Sequence, residues 1–252
     1  MNYGVCQLSV IPLRSEAKDQ AEIVSQLLLG DLVEILIVDD NWTKIRCLND
    51  DYLGWMDTKQ ISTLSPDEFD QIQSSEKKFS KSHFTKIKRK NTDGVAPFGS
   101  TFYNLDNSVL EYSLDSRINN SRLKSISDAA LSFLNAPYLW GGKTIYGIDC
   151  SGFTQIVFKT FGIQLKRDAS QQVEQGESIA FEDTHENDLA FFSNEKGKVI
   201  HVGIVLKESK IIHASGQVRI DELNNNGILN SESGTLTHGL HSIRRYQGVL
   251  KE

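Results

Sequence analysis

One cysteine and two histidines in the second half of the chain stand in the order expected of a thiol hydrolase. Cys150 opens an apolar stretch with helical spacing, and His201 and His213 follow in strand-like stretches. A thiol attacks a carbonyl as the thiolate, so it needs a nearby base and favourable electrostatics near neutral pH. These residue types supply a nucleophile, a base and a group that orients the base.

Cys150 lies where a loop passes into a predicted helix. Backbone N–H groups and the positive end of the helix dipole favour an anion there, which lowers a thiol pKa and offers an oxyanion hole. Gly152 and the pair Gly141-Gly142 let the backbone approach a substrate closely. A cysteine taken alone is more often structural, but the flanking residues and the histidines favour a nucleophile.

The two histidines are expected to meet across a pair of strands. Alternation places His201 on the same strand face as Gly203, and a turn at residues 207–209 leads into the stretch that contains His213. Antiparallel pairing through that turn sets the two histidines nearly opposite each other. A lone strand histidine is usually a core residue, whereas two in register indicate a base and its orienting partner.

A zinc site is the chemical alternative. Cys150, His201 and His213 could bind zinc together with Asp149. No two of these residues have the short spacing that is typical of zinc ligands, and the cysteine begins a helix. We therefore expect no metal and no cofactor. A serine nucleophile is weaker still, because the sequence has no G-x-S-x-G segment.

The N-terminal part of the chain has the pattern of a small all-β domain, predicted over residues 1–64. Residues 24–31 give a strand and then a turn, and strand-like stretches follow at 32–38, 42–47 and 52–56, with turns rich in Asp, Asn and Gly between them. Residues 65–120 are predicted to be a linker with a possible diverged β module. The basic run at 86–90 lacks interleaved aromatic residues and is interpreted as a solvated face.

Residues 121–252 have the pattern of an α+β domain. We predict a helix over residues 121–135 and a second helix that begins near Cys150 and stops at Gly162. Strands are predicted over residues 188–192, 199–206 and 210–214. This order predicts helices packed on an antiparallel sheet.

Composition and charge exclude several classes of function. The 252-residue chain has a net charge of −6 and no arginine–aromatic pattern, so we expect no nucleic-acid partner. Its apolar runs are too short to cross a bilayer, so no membrane partner is expected. The first 11 residues lack a signal-peptide pattern and the three cysteines are scattered, which predicts a cytoplasmic location. Cys6 and Cys47 are expected to be buried apolar residues, and the oligomeric state is left open.

Six short motifs together resemble those of the NlpC/P60 cysteine peptidases. They are, in order, Tyr138-Leu139-Trp140-Gly141-Gly142, Asp149-Cys150-Ser151-Gly152-Phe153, Arg167-Asp168-Ala169-Ser170-Gln171, Asp188-Leu189-Ala190-Phe191-Phe192, His201-Val202-Gly203-Ile204 and Ile212-His213-Ala214-Ser215. Gly54-Trp55 followed by Ile61 resembles the end of a bacterial SH3 (SH3b) domain. The combination is similar to γ-D-glutamyl-L-diamino acid endopeptidases of the YkfC type. It implies a papain-like α+β catalytic domain preceded by an SH3b-like barrel.

The resemblance implies a role for each matching residue. Cys150 would attack the scissile carbonyl, His201 would act as base and then acid, and His213 would orient His201. Tyr138 would help to hold the oxyanion. The implied substrate-binding residues are Asp149, Ser151 and Trp140 beside the nucleophile, Tyr52 and Glu16 in the SH3b domain, and Asp168.

The implied reaction is hydrolysis of the bond between γ-D-Glu and an L-diamino acid, lysine or diaminopimelate. The murein peptide would carry a free N-terminal L-Ala, and L-Ala-γ-D-Glu would be released in cell-wall peptide recycling. A buried carboxylate left unpaired is costly, so a substrate without the amine should be rejected. The alternatives are another thiol amidase or acyltransferase on this scaffold, and a non-catalytic peptidoglycan-binding protein.

Overall fold

The protein consists of two compact units. A computed structural model describes residues 2–89, 92–105, 110, 112–114 and 123–246. The N-terminal unit comprises residues 1–122 with residues 140–145. The second unit, called the catalytic unit after the role that the resemblance implies for it, comprises residues 123–139 with residues 146–252. No helix within the described ranges is both long enough and apolar enough to span a membrane.

The first part of the N-terminal unit is a seven-stranded antiparallel sheet. Its strands run in the order β3-β2-β6-β5-β4-β1-β7. They are β1 (Asn2–Val5), β2 (Val10–Arg14), β3 (Ile23–Leu28), β4 (Leu32–Asp39), β5 (Trp42–Cys47), β6 (Leu53–Asp57) and β7 (Ser62–Leu64). The four strands predicted here are confirmed. Cys6 and Cys47 lie buried in the core of this sheet, as expected of buried apolar residues.

The chain after β7 packs against the same unit. A capping box between Ser65 and Glu68 begins helix α1 (Pro66–Ser74), which is followed by short strands. These are β8 (Lys77–Phe79), β9 (Thr85–Arg89), β10 (Asp93–Ala96), β11 (Thr101–Tyr103) and β12 (Tyr112–Leu114). Phe69 and Ile72 of α1 share one apolar core with Val5 and Leu32 of the sheet. The domain boundaries at residues 64 and 120 stay predictions.

The catalytic unit places helices on an antiparallel sheet. Its helices are α2 (Ile126–Leu131), α3 (Cys150–Lys159) and α4 (Ala169–Gln172). Its sheet has the order β15-β21-β16-β17-β18-β19-β20. The strands are β15 (Glu177–Ile179), β16 (Leu189–Ser193), β17 (Val199–Leu206), β18 (Lys210–Ser215), β19 (Gln217–Asn224), β20 (Gly227–Leu229) and β21 (Leu236–Arg245). Two short strands precede α3: β13 (Lys143–Thr144), within segment 140–145 of the N-terminal unit, and β14 (Gly147–Ile148).

The helix predicted over residues 121–135 is shorter in the structure. Residues 121 and 122 lie outside the described residues, and α2 begins at Ile126 after a capping box formed by Ser125 and Asp128. After Leu131 the chain forms turns, and Asn135 takes a φ of 67° that ends any helical continuation. The second predicted helix is confirmed, with Gly162 at a φ of 80° just after its end.

Candidate active site

Helix α3 begins at Cys150, and the residue before it caps the helix. The Asp149 side chain accepts a hydrogen bond from the backbone N–H of Gly152 at 2.6 Å. Such a cap satisfies one of the N–H groups that have no partner within the helix. Phe153 and Ile156 bury the other side of α3 in the core of the catalytic unit. The cap and the core together fix the position of the cysteine.

The carboxylate of Asp149 is paired with a buried guanidinium. Arg167 donates from Nη1 to Oδ1 at 3.0 Å and from Nη2 to Oδ2 at 2.6 Å. Its Nη1 also donates to the hydroxyl of Ser151 at 3.0 Å. The Arg167 side chain is only 1% exposed. A two-pronged Arg–carboxylate pair in such a place orders both partners strongly, so it holds the start of α3 rigidly.

The Cys150 thiol is buried, and this decides its protonation. Burial and the nearby Asp149 charge raise the pKa of the Cys150 thiol to about 12, against hydrogen bonds from the backbone of Val202 and Ser151 and the charge of Arg167. The prediction that backbone N–H groups at the helix N-terminus favour the thiolate holds for the Ser151 N–H, but the net pKa of the thiol is raised. Desolvation of the thiolate outweighs the N–H groups. The cysteine rests as a neutral thiol.

His201 and His213 are brought together by strands β17 and β18. Nε2 of His201 and Nδ1 of His213 lie 2.8 Å apart, and both side chains are buried. The residue directly across from His213 is Gly203, so the histidines meet diagonally instead of nearly opposite each other. Gly203 leaves room for this approach, because a Cβ there would lie 2.9 Å from the Cβ of His213.

Both imidazoles are neutral at pH 7. Burial is the main cause in each case: it lowers the pKa of His201 well below its usual 6.5 and the pKa of His213 to about 4. The interaction between the two rings further disfavours a proton on His201. A neutral imidazole has one ring nitrogen that can accept a proton, so His201 is suited to act as a base.

Asp221 is a site residue that the sequence analysis missed. Its Oδ2 lies 3.0 Å from Nε2 of His213, and Nε of Arg219 lies 2.9 Å from the same oxygen. Both residues come from β19, the neighbour of β18 in the sheet. The alternation of Arg219 and Asp221 on one strand face after His213 is the signal that could have pointed to them.

His238 of β21 is a second residue that the sequence analysis missed. Its ring stacks on that of His201 with a centroid distance of 4.3 Å and an interplanar angle of 25°. It also meets His213 and Phe192 edge to face. Burial lowers the pKa of His238 as well. This ring covers one face of the candidate base. No local signal marks it, because β21 is distant in sequence.

Tyr138 is held beside the start of α3 by backbone hydrogen bonds. Its N–H donates to the carbonyl of Gly216 at 2.9 Å, and it forms a parallel bridge with Ile148. Burial, with the charges of Cys150 and Asp149, raises the pKa of the Tyr138 hydroxyl to about 12. The hydroxyl therefore keeps its proton at neutral pH and is able to donate a hydrogen bond.

Three of the predicted substrate-binding residues belong to the N-terminal unit. Tyr52 is half-buried against the core of the seven-stranded sheet, and Glu16 is exposed and paired with Lys18 at 2.7 Å. Trp140 is 60% exposed. In the catalytic unit, Asp168 directly precedes α4, and its backbone N–H donates to Oε1 of Gln171. The substrate contacts of these four residues stay predictions.

The candidate zinc ligands do not converge on a common point. Asp149 is paired with Arg167, and the facing nitrogens of His201 and His213 are hydrogen-bonded to each other. Within the part of the chain that the structure describes, no group of three or more His, Cys, Asp and Glu side chains has the geometry of a metal site.

Comparison with protein-family models assigns both units. Residues 135–234 match the NlpC/P60 family, and residues 13–61 match the bacterial dipeptidyl-peptidase SH3 domain. The chain contains an NlpC/P60 domain and a bacterial SH3 domain. NlpC/P60 enzymes are cysteine peptidases, so the predicted family, the α+β fold with an SH3b-like barrel and the enzyme class are confirmed.

Two Bacillus proteins are among the relatives of this chain. A gamma-D-glutamyl-L-lysine dipeptidyl-peptidase of Bacillus cereus (strain ATCC 10987) is 27% identical over 84% of this chain and 74% of its own length. An enzyme of the same name from Bacillus subtilis (strain 168) is 42% identical over 32% of this chain and 28% of its own length. The first likeness extends over most of both proteins.

Solved structures of NlpC/P60 proteins share the fold. An NlpC/P60 family protein from Bacillus cereus ATCC 10987 has a TM-score of 0.78 at 19% identity and covers 97% of this chain and 99% of its own. An NlpC/P60 endopeptidase from Photobacterium damselae subsp. piscicida has a TM-score of 0.67 at 17% identity, covering 96% of this chain and 72% of its own.

Proposed function

We propose that this NlpC/P60 peptidase hydrolyses the bond between γ-D-Glu and an L-diamino acid in murein peptides that carry a free N-terminal L-Ala. The observation that carries the proposal is the pairing of two domains in one chain. An NlpC/P60 domain occurs with an SH3 domain of the dipeptidyl-peptidase type, and a relative named gamma-D-glutamyl-L-lysine dipeptidyl-peptidase matches across most of the chain.

The proposed reaction begins with transfer of the Cys150 proton to His201 as the sulfur attacks the γ-carbonyl of D-Glu. Tyr138 and the backbone N–H groups at the start of α3 donate to the developing oxyanion. Collapse breaks the amide C–N bond, and His201 returns the proton to the amine of the diamino acid that leaves. Water then hydrolyses the thioester, with His201 as base, and releases L-Ala-γ-D-Glu. His213 orients His201 throughout.

Recognition of the free amine is proposed for Asp149, Ser151 and Asp168 of the catalytic unit, with Tyr52 and Glu16 of the SH3b domain. Trp140 would form an apolar wall. Arg167 already balances the charge of Asp149, so an ammonium group would share that carboxylate with the guanidinium. Amine selectivity is therefore expected to depend on several polar groups together rather than on Asp149 alone.

The cellular role that we propose is recycling of murein peptides in the cytoplasm. The three cysteines, all within the described ranges, form no disulfide, which fits a reducing compartment. A preference for trimmed peptides with a free amine would suit such a role, because stem peptides within the wall are acylated at this position.

The test is cleavage of L-Ala-γ-D-Glu-L-Lys and of its diaminopimelate analogue, each with a free and with an N-acetylated terminus. Mass spectrometry should detect L-Ala-γ-D-Glu from the free-amine peptides and no N-acetyl-L-Ala-γ-D-Glu from the acetylated ones. Tyr52→Phe should raise KM for the free peptides. Equal cleavage of the acetylated peptides would contradict amine recognition. Absence of cleavage of all four peptides would reject the proposed substrate class.

A further inference from the structure

Asp221 ends a row of buried hydrogen bonds that leads to the candidate base. From Asp221 Oδ2 the row passes to Nε2 of His213 at 3.0 Å, and from Nδ1 of His213 to Nε2 of His201 at 2.8 Å. All three side chains are buried. Each ring nitrogen in the row therefore faces one defined partner.

We propose that Asp221, held by Arg219, is a positioning residue that fixes the tautomers of both histidines and so leaves Nδ1 of His201 as the proton acceptor. This inference rests on the role of His201 as base in the proposed function. It extends that role to a residue of β19 that touches neither the thiol nor the substrate.

The assignment follows from counting protons. A carboxylate only accepts hydrogen bonds, so Nε2 of His213 must carry the hydrogen. A neutral imidazole has one N–H, so Nδ1 of His213 accepts, and Nε2 of His201 must donate to it. The lone pair of His201 then lies on Nδ1. Because burial keeps both rings neutral, a single set of tautomers satisfies the row.

The surroundings of Asp221 keep it ionised. Burial by itself would raise the pKa of this carboxyl, but hydrogen bonds from the Ser231 backbone, His213 and Arg219 outweigh it and leave the pKa below its usual value. Arg219 Nη2 and the Ser231 N–H lie 3.1 Å and 2.9 Å from Oδ1. Glu232, 3.6 Å from Arg219, is largely exposed. The Asp221 carboxylate therefore acts only as a hydrogen-bond acceptor.

Asp221→Asn changes the hydrogen-bonding groups of residue 221 while it keeps the shape of the side chain. With the amide oxygen at the Oδ1 position, Ser231 and Nη2 of Arg219 keep their acceptor, and Nδ2 meets one donor, Nε of Arg219. With the amide reversed, Nδ2 would face two donors, the Ser231 N–H and Nη2 of Arg219. The first orientation is therefore favoured, and it donates Nδ2–H to Nε2 of His213. His213 then carries its hydrogen on Nδ1 and donates it to Nε2 of His201. Nε2 of His201 accepts, so the hydrogen of His201 lies on Nδ1.

The experiment is long-range 15N–1H NMR of histidine-labelled full-length protein, with His201→Gln and His213→Gln spectra to assign the rings. In the wild type, both rings should be protonated at Nε2 and bare at Nδ1. In Asp221→Asn both should be protonated at Nδ1. The tautomer assignment needs no substrate, so a failure of the proposed substrate class leaves this test intact.

The second readout is the kinetics of peptide hydrolysis. Glu222→Gln is the matched control, because it also replaces a carboxylate with an amide, but at an exposed position of β19. Asp221→Asn should lower kcat on the order of 10³-fold with KM within about threefold, as expected for a base in the wrong tautomer. Glu222→Gln should retain both wild-type values. Wild-type rings protonated at Nδ1, or Asp221→Asn with unchanged tautomers or unchanged kcat, would overturn the proposal.

Discussion

At the scale of single residues, the site holds the proposed nucleophile, Cys150, and the proposed base, His201, as a neutral pair. Burial raises the pKa of the Cys150 thiol to about 12 and lowers that of His201 well below 6.5. At pH 7 the thiol is protonated and the imidazole is not. The proton must therefore move during the attack, which makes the position of the base as important as its basicity.

Alkylation of Cys150 should reveal this resting state. Below the thiol pKa the thiolate fraction rises about tenfold for each pH unit, and the thiolate is the form that reacts with iodoacetamide. The alkylation rate of Cys150 should therefore rise about tenfold per unit from pH 7 to pH 9. Peptide mapping distinguishes it from Cys6 and Cys47. A rate that stays constant between pH 5 and pH 9 would indicate a preformed thiolate–imidazolium pair and contradict this account.

The sequence predicts the residues whose chemistry is local. Cys150, His201 and His213 can be found because their types and order are informative by themselves. Asp221 and His238 cannot, since their relation to the imidazoles depends on strand register between β18, β19 and β21. Arg167 belongs to one of the six motifs, but its pairing with Asp149 joins two segments that meet only in the folded unit.

At the scale of elements, the β17–β18 hairpin sets the distance between the histidines. Gly203 lies across from His213, and a Cβ at this position would lie 2.7 Å from Cδ1 of Ile211 and 2.9 Å from Cβ of His213. Contacts this short force the neighbouring strand to move. The glycine is therefore required by packing, since its φ is not in the left-handed region.

Gly203→Ala should displace His213 and damage both stability and activity. We expect a loss of about 1–3 kcal/mol in the free energy of unfolding, the usual cost of overpacking, and a fall in kcat of at least about tenfold. Gly239→Ala on β21 is the matched control, because a Cβ there has nothing within 4 Å. Urea unfolding and peptide hydrolysis measure the two effects. If Gly203→Ala behaved like Gly239→Ala, the packing argument would fail.

The sequence predicts an element correctly where its hydrophobic pattern agrees with the turn or capping residues at its ends. Alternating strands bounded by Asp, Asn and Gly, and the helix that begins at Cys150, are such cases. The helix predicted over residues 121–135 is longer than the observed one, because Phe133 and Leu134 continue the apolar spacing beyond its end at Leu131. In the structure their N–H groups donate to carbonyls three residues back, and the Asn135 N–H donates to Val218 of β19. A contact distant in sequence ends the helix.

At the scale of the whole molecule, the apolar core of the N-terminal unit extends beyond the seven-stranded sheet to helix α1 and the strands that follow it. Phe69 of α1 stacks on Tyr3 of β1 at a centroid distance of 3.7 Å and an angle of 6°. Ile72, Ile87 and Phe102 belong to the same core. The polar, charged composition of residues 65–91 does not predict this packing, because few apolar residues carry it and most of their partners lie before or after this segment in the chain.

Phe69→Ala should loosen the sheet as well as the helix. Truncating a buried phenylalanine costs about 3–5 kcal/mol, and the cavity would lie between α1 and β1. Hydrogen exchange should accelerate in peptides from β1 and β4. Phe84→Ala makes the same change at a side chain that is 54% exposed and should leave these peptides unaffected. Equal exchange in the two variants would mean that α1 does not stabilise the sheet.

The most direct test of the account is hydrolysis of L-Ala-γ-D-Glu-L-Lys by the wild type and by Cys150→Ala, followed by mass spectrometry. The account predicts that the wild type releases L-Ala-γ-D-Glu and that Cys150→Ala releases none, because the nucleophile is gone while the rest of the site remains. Release of the dipeptide by Cys150→Ala at the wild-type rate would contradict it.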